Sequence, residues 1–557
     1  MLLGCVAAAA LLRFWGLGHG LPNVYNPDES SILLRALSLG AKTLNPHNFL
    51  YPSLFLYVLA AVAGADFVVA RALGRVASMK AYETAFLVDP THLYWLARSV
   101  SAVTGTLTVV AVYALARKVG SRGLARSAAA LMAVAYIPVR DAHFVKHDVP
   151  VALIVVVVVL AAWRVWQMGR VRDSVYAGLL AGAAFAFHFY AMFAVVPVAV
   201  GHLLRTRSLK GVVLNRRPWL AAVAFCVAFA CLSPYVLIDH DVALRDMAAN
   251  RQIVVGRAVA TYGWFGSGVE HVKLIVGQGA GVGMAVAAIV GVVALLPAGS
   301  LAAWLLAFPA AFFLFLSNAW PFGRLENPLY PFIAVLAAAG IHWMARRLRL
   351  GTIGAVVLTV ACMAQPLAYA IAIDRFFTTD DTRTVARAWI ERHVPAGTGI
   401  AVPTGTVQLV PTRDSLERTI VRNVGAVNRA SRRFQSILAL DPYPAPGYDL
   451  TWLGRGGGDQ DKVYVNPDEV ARDPRLTALR DRGVRYVVFN RVTAGETDPL
   501  RDRVASLGRL VFRVSPFNHR AGPASEAQLP DYDIRPASDV DRPGPIIEIW
   551  DLEREGR

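Results

Sequence analysis

Charge is scarce in this chain of 557 residues. Asp, Glu, Lys and Arg together make up 17% of it, against about 25% in soluble domains. Hydrophobic residues make up 55%, and the mean hydropathy is +0.45. An ordinary soluble enzyme, a disordered tail and a collagen-like repeat are all excluded on that balance. Acids are scarcest where the chain is most apolar. Residues 1–375 hold 14 acidic and 30 basic side chains, whereas residues 376–557 hold 25 and 26. The formal excess of +17 therefore belongs to the apolar part, where bases in short loops fix membrane orientation. No soluble stretch interleaves bases with aromatics, so nucleic acid is not a partner. Cysteine is rare as well. Cys5, Cys226, Cys231 and Cys362 all lie in apolar runs, which excludes a disulfide framework and a cysteine metal site.

What is present is a series of apolar runs of the length that crosses a bilayer, roughly 20 residues. They fall at about 1–20, 93–116, 122–138, 150–168, 174–189, 190–204, 219–237, 277–296, 300–317, 328–345 and 352–372. The first has no basic leader and no small-residue cleavage site before Pro22, so it reads as a span rather than a signal peptide. Four basic clusters set the orientation: Arg117 to Arg126, Arg164 to Arg172, Arg205 to Arg217, and Arg346 to Arg349. They contain 15 bases, accompanied by one acid, Asp173, just after the second, and the positive-inside rule assigns all four to the cytoplasm. Parity then makes the loops 22–92, 139–149, 239–275 and 318–330 external. It also requires the further apolar stretch 52–76, interrupted by Asp66, Arg71 and Arg75, to lie along the surface or re-enter rather than cross. The expected fold class is a polytopic α-helical membrane protein of about 11 spans with juxtamembrane helices, occupying residues 1–375.

Residues 376–557 read differently. A helical pattern at 385–394 precedes an apolar run at 399–403. A helix at 476–482 ends on Gly483 and leads into a strand at 484–490, and 545–552 alternates like a strand. These alternations predict an extracytoplasmic α/β domain. The segment 441–462, rich in Pro, Gly and Asp, reads as a loop.

The ionisable residues gather in the external loops. Asp28 and Glu29 follow the first span, and adjacent carboxylates beside a bilayer require solvation or partners. They fit a helix N-terminus and a general base equally well. The second loop carries Arg140, Asp141, His143, Lys146, His147 and Asp148, more than a simple turn needs. His143 and His147 have zinc-compatible spacing if helical, but no third ligand stands beside them, so the loop's cations fit an anionic ligand better than its histidines fit a metal. In the fourth loop, Arg324 offers a planar fork suited to phosphate, with pairing to Glu326 or snorkelling as the alternative. Asp239-His-Asp241 spells a nucleotide-sugar DxD, yet it follows a span on the external face, where nucleotide sugars are scarce.

Four motifs, Asn26-Pro-Asp-Glu29, Asn45-Pro-His-Asn-Phe-Leu-Tyr-Pro-Ser-Leu54, His143-Phe through Asp148-Val-Pro150, and Arg324-x-x-Asn-Pro-Leu-Tyr-Pro331, occur in one order and on one side. Together they resemble the dolichyl-phosphate-mannose protein mannosyltransferase superfamily of GT-C glycosyltransferases, which includes the lipid A aminoarabinose transferases. The resemblance covers about residues 1–372. It implies a sugar donor on a polyprenyl phosphate, an acceptor that is a protein, lipid or glycan, inversion at the anomeric carbon, and a bacterial cytoplasmic membrane as the setting. It maps the family's loop acids onto Asp28, with Glu29 beside it, and onto Asp148. Arg324, Lys146 and His143 are then the candidates for holding the leaving phosphate. No cofactor is required, although a divalent cation is compatible. The family's Arg-Tyr pattern near the last spans is replaced here by Arg324-Leu325. The rival expectation is a transporter or lipid-linked-sugar flippase, which would place ionisable groups at the bilayer midplane.

Overall fold

A computed structural model describes residues 2–40, 43–403, 405–429, 432–454, 464–529 and 538–553. The chain forms two compact units. One comprises residues 1–17, 28–66 and 94–374; the other comprises 18–27, 67–93 and 375–557.

The first unit is built of apolar helices. Every expected span falls on one helix or on consecutive ones, and the protein is a multi-pass α-helical membrane protein. Among the described residues, seven helical stretches are long and apolar enough to cross a bilayer. They include Thr91–Val119, Asp148–Met168 and Gly281–Ala298. Leu2–Phe14 and Ser300–Leu316 are shorter apolar helices. Arg122–Val134, Val171–Phe187 and Arg216–Leu232 run for 13, 17 and 17 residues. The count of long helices is thus smaller than the 11 apolar runs, because several runs are broken near a polar end or a turn. Leu54–Ala72 forms one unbroken helix of 19 residues despite its charges, since Asp66 and Arg71 are good enough helix residues to continue a helix they do not bury. Its length permits crossing. Only the parity of the basic clusters assigns it to the surface.

Small residues allow these helices to approach closely. A Cβ on Gly178 would meet the Ala221 carbonyl, and one on Gly291 would meet the Leu336 carbonyl, a geometry that favours packing in lipid. Arg13, which cuts the first apolar run short, is fully buried. It donates to the carbonyls of Ala9 and Ala133 at 3.1 and 3.0 Å.

The second unit carries a six-stranded sheet. Its strands are β1 (Gly399–Pro403), β2 (Asp449–Leu453), β3 (Tyr464–Val465), β4 (Val484–Arg491), β5 (Arg509–Val514) and β6 (Ile546–Asp551), in the order β3-β2-β1-β4-β6-β5. The first four positions are parallel, and β6 runs antiparallel to both β4 and β5. Strand alternation feeds two cores. Ile400, Val488 and Ile549 belong to one, and Ala401, Val487 and Trp550 to the other, as expected of a sheet covered on both faces. The helix expected at 385–394 spans Thr382–His393, and the turn at Gly483 has φ +66°. The segment read as a loop at 441–462 is not one throughout, because residues 449–453 form β2; residues 455–462 lie outside the described residues. This unit also includes residues 18–27. There Asn23 accepts from Arg387 at 2.6 Å, Gln408 donates to the Val24 carbonyl at 2.7 Å, and Arg383 stacks over the Tyr25 ring at 3.9 Å.

Candidate active site

The helix Pro27–Ser38 begins with two acids in its first turn, where carboxylates offset the exposed N–H groups. These consecutive residues point to different surroundings. Glu29 is fully buried and receives a bidentate grip from Arg98, whose Nε and Nη2 both donate at 2.9 Å. Glu29 also accepts from the backbone N–H of Val145 at 2.9 Å. Arg98 in turn donates to the Leu17 carbonyl at 2.8 Å. Glu29 is therefore a strut between the first helix turn and the second loop, and the structure does not present it as a base.

Asp28 is half-exposed on the other side of that turn. Lys146 Nζ lies 3.3 Å from its Oδ2 and Arg324 Nη1 lies 3.6 Å away. Burial works to raise its pKa, but the two cations outweigh that effect and hold it below the ordinary carboxylate value. Three of the residues singled out from sequence thus converge from three different loops. The alternative for Arg324, a pair with Glu326, is not what forms. Glu326 is buried with His271 at 3.0 Å and Tyr330 at 2.9 Å. Arg324 instead stacks over Phe322, 4.6 Å from its ring centre.

The second loop is held from within. Asp141 accepts from Arg140 at 2.7 Å and from Asn327 at 2.6 Å, and Asn327 also donates to the Arg324 carbonyl at 2.9 Å. This ties the loop to the segment that carries Arg324. His143 does not join the phosphate-binding candidates. It is fully buried, with Nδ1 2.9 Å from the Val139 carbonyl, Nε2 2.9 Å from the Trp15 carbonyl, and Asp374 at 3.5 Å. Burial pushes its pKa down to about 4, so it is a neutral anchor with no face open to a ligand. Residues 142–147 are not helical, which removes the one-face geometry that a zinc pair with His147 needed.

The segment 43–53 has no regular structure, and side chains beyond residue 232 satisfy its backbone and side chains. Asn45 donates to Asp239 at 2.9 Å, the Phe49 N–H to Asp246 at 2.8 Å, the Ser53 N–H to Ser233 at 2.8 Å, and Asn250 to the Leu50 carbonyl at 2.9 Å. Asp239 of the DxD is thus a structural acceptor. The result places the Tyr51 ring 4.0 Å from His147 and 5.0 Å from His188, measured between ring centres. Burial raises the Tyr51 phenol, and Arg324 beside it pulls the other way.

Asp148 is buried and accepts from the Tyr190 hydroxyl at 3.1 Å. With His147 and His188 it forms a group whose ligand atoms lie within 4.8 Å of one another, a donor set of two imidazoles and one carboxylate that could hold a divalent ion. Two observations oppose a resident metal. His188 Nδ1 accepts the Tyr190 N–H at 3.2 Å, and Lys146 and Arg324 add positive charge beside His147, whose pKa burial and these cations lower to about 3. Arg324, Tyr51 and Tyr190 also line an apolar cavity of about 280 Å³ with Phe193, Met247 and Phe315.

Sequence reasoning missed Arg98, Tyr190 and His188. Arg98 and His188 each interrupt an otherwise apolar run, and that interruption was the available signal.

Residues 90–238 match the family model of dolichyl-phosphate-mannose-protein mannosyltransferases. The matched stretch includes Lys146, Asp148 and His188, and it bears out the superfamily resemblance that the motifs carry. No curated protein sequence matches the chain. Among solved structures it is similar to ArnT from Cupriavidus metallidurans bound to undecaprenyl phosphate (13% identity, TM-score 0.49, covering 92% of this chain and 96% of that one). The apo state of the same protein matches at 15% identity and TM-score 0.47, with 88% and 92% covered. AglB from Archaeoglobus fulgidus, in complex with an inhibitory peptide and a dolichol-phosphate, matches at 13% identity and TM-score 0.46, with 92% and 73% covered.

Proposed function

We propose that this protein is an inverting glycosyltransferase that moves a sugar from a polyprenyl phosphate to an acceptor at the outer face of the cytoplasmic membrane. The observation that carries the reading is the meeting of Asp28, Lys146 and Arg324 beside an apolar cavity that Arg324 itself lines. A polyprenyl phosphate has those two parts, an anion and an apolar tail. The family match over 90–238 supports the same class.

In this reading the acceptor N–H or O–H attacks the anomeric carbon as the C–O bond to the phosphate breaks. Asp28 takes the acceptor proton. Arg324 and Lys146 stabilise the charge that grows on the leaving phosphate. The isoprenyl tail occupies the cavity at Met247 and Phe315. Tyr190 borders the same space and, held by its hydrogen bond to Asp148, orients the donor. The gathering of ionisable groups at loop ends favours this over a transporter, which would need them at midplane.

The test is Asp28→Asn in purified enzyme with a polyprenyl-phosphate sugar. Turnover is expected to fall by about 10²-fold or more. Binding of the polyprenyl phosphate itself should persist, because the substitution frees both cations. Wild-type turnover in the variant would sink the assignment of Asp28.

A further inference from the structure

Between two expected spans, the loop 239–275 turns at Gly263-Trp-Phe-Gly266. Trp264 and Phe265 stand 68% and 58% exposed at this tip. Phe265 holds φ at +64°, a conformation that a bulky residue adopts only where its surroundings impose it. The surroundings do so here, because the Phe265 N–H donates to Asn318 Oδ1 at 3.0 Å. The fold thus strains its backbone at a point where two large apolar rings stay uncovered.

The helix that follows, Ser267–Leu274, is amphipathic in reverse. Its buried face is polar. Ser267 Oγ donates to the Leu316 carbonyl at 3.1 Å, and His271 lies 3.0 Å from Glu326 Oε1 and 3.3 Å from the Ala319 carbonyl. Its exposed face carries Val269 and Val272, within about 60° of each other around the helix. Glu270 and Lys273, paired at 2.7 Å, take the adjoining flank. In water a helix turns its apolar side inward. One that buries Ser and His while exposing Val has an apolar medium on that flank, and a charged flank beside it is the pattern of a helix lying in a membrane interface. Exposed apolar residues resume on the span Gly281–Leu295 at Val282, Val286, Ile289 and Val293. The stripe therefore continues a surface that the bilayer itself covers, which favours lipid over a second protein as its occupant.

We infer that the segment 264–274 docks into the lipid leaflet on the Asp28 side, with Trp264, Phe265, Val269 and Val272 in the upper acyl region and the Glu270–Lys273 flank among the headgroups. The side follows from Arg324, which meets Asp28 at 3.6 Å and belongs to the stretch 316–326 that the docked segment grips. The four contacts to Leu316, Asn318, Ala319 and Glu326 make that grip. Trp320 adds two more, its N–H donating to the Val254 carbonyl at 2.7 Å and its ring carrying the Arg257 guanidinium at 3.6 Å. Docking therefore holds the Arg324 segment at headgroup depth, where the phosphate of a membrane-held isoprenyl chain lies. That consequence rests on the proposed function, whereas the docking itself does not.

The experiment puts one nitroxide label at Val272→Cys or at Glu270→Cys in the full chain, with its four native cysteines replaced, in phosphatidylcholine nanodiscs. Collisions of each label with molecular oxygen and with a water-soluble nickel chelate are then measured. The label at 272 should favour oxygen and report a depth of about 5–10 Å into the headgroup and acyl boundary, while the label at 270 favours the chelate. Chelate reaching 272 as freely as 270 would mean that water covers the stripe, and shielding of 272 from both reagents would mean that protein does. Either result overturns the inference. Binding of polyprenyl phosphate to the same nanodiscs tests the consequence. Trp264→Ala with Phe265→Ala should weaken it roughly tenfold, the scale of burying one apolar side chain, and unchanged affinity would overturn the depth-setting role. A wild type that binds no polyprenyl phosphate while residue 272 lies in lipid would count against the proposed function and leave the docking standing.

Discussion

Asp28 and Glu29 are adjacent in sequence and opposite in role. Glu29 spends both oxygens on Arg98 and a backbone amide, while Asp28 faces Lys146 and Arg324. The depressed pKa of Asp28 has a definite sign. Its folded value lies below its unfolded one, so its ion pairs stabilise the fold throughout the range above the ordinary carboxylate pKa. That contribution is lost only as the pH falls through the depressed value. The free enzyme's kcat/KM should therefore show no acid limb from Asp28 between pH 5 and 8. A bound donor phosphate would draw Arg324 and Lys146 toward itself and relax that depression. The acid limb of kcat should then sit at higher pH than that of kcat/KM. Parallel pH profiles for the two constants would argue against the shared-cation arrangement. Glu29 predicts something different. Glu29→Gln leaves Arg98 as an uncompensated buried charge and should cost about 3–5 kcal/mol of stability, read as a lowered Tm in detergent. Replacing both partners by Leu should recover most of that loss. Turnover should stay low, because Val145 would still lack its acceptor.

At the scale of elements, the helices were far more legible in the sequence than their partnerships. Each apolar run announces its own helix through composition, and the strands at 484–490 and 545–552 announce themselves by alternation. What composition does not reveal is where a polar side chain far along the chain finds its acceptor. The segment 45–54 was recognisable as a motif, yet nothing in it says that Asp239 accepts from the Asn45 side chain while Asp246 and Asn250 bond its backbone at Phe49 and Leu50. Likewise Arg98 sits in an apolar helix, and only the fold brings it to Glu29. The convergence of Asp28, Lys146 and Arg324 was anticipated because each belongs to a loop assigned to one face. His143 was misplaced because loop membership says nothing about which way a side chain turns. The pinning of segment 45–54 is testable. Asp246→Ala removes the acceptor of the Phe49 N–H and should cost about 1–3 kcal/mol locally. Tyr51 would then be poorly fixed beside His147, so the KM for the donor should rise while the far-UV helical signal stays unchanged. An unaltered KM would show that Tyr51 holds its place without this anchor.

For the whole molecule, the decisive question is how the helix Leu54–Ala72 meets the bilayer. At about 1.5 Å per residue its 19 residues suffice to span the hydrocarbon core, and its apolar composition alone would make it a crossing. The charge distribution argues the other way. If it crossed, either the Arg117 to Arg126 cluster or the loop bearing Asp28 would change sides. Then Asp28 and Lys146 could not share a face with each other while the basic clusters shared the opposite one, as the positive-inside rule requires. Their 3.3 Å separation supports the reading in which this helix lies at the outer surface. The chain offers a direct test, because it has only four cysteines, Cys5, Cys226, Cys231 and Cys362, which can be replaced by Ala or Ser. In that background, Ala77→Cys and Lys210→Cys each introduce one thiol at an exposed position. A membrane-impermeant maleimide added to intact cells should label residue 77 and spare residue 210, and permeabilised cells should label both. Protection of both sites in intact cells would mean that Leu54–Ala72 crosses, and the shared face of the Asp28 and Lys146 loops would then need a different topology.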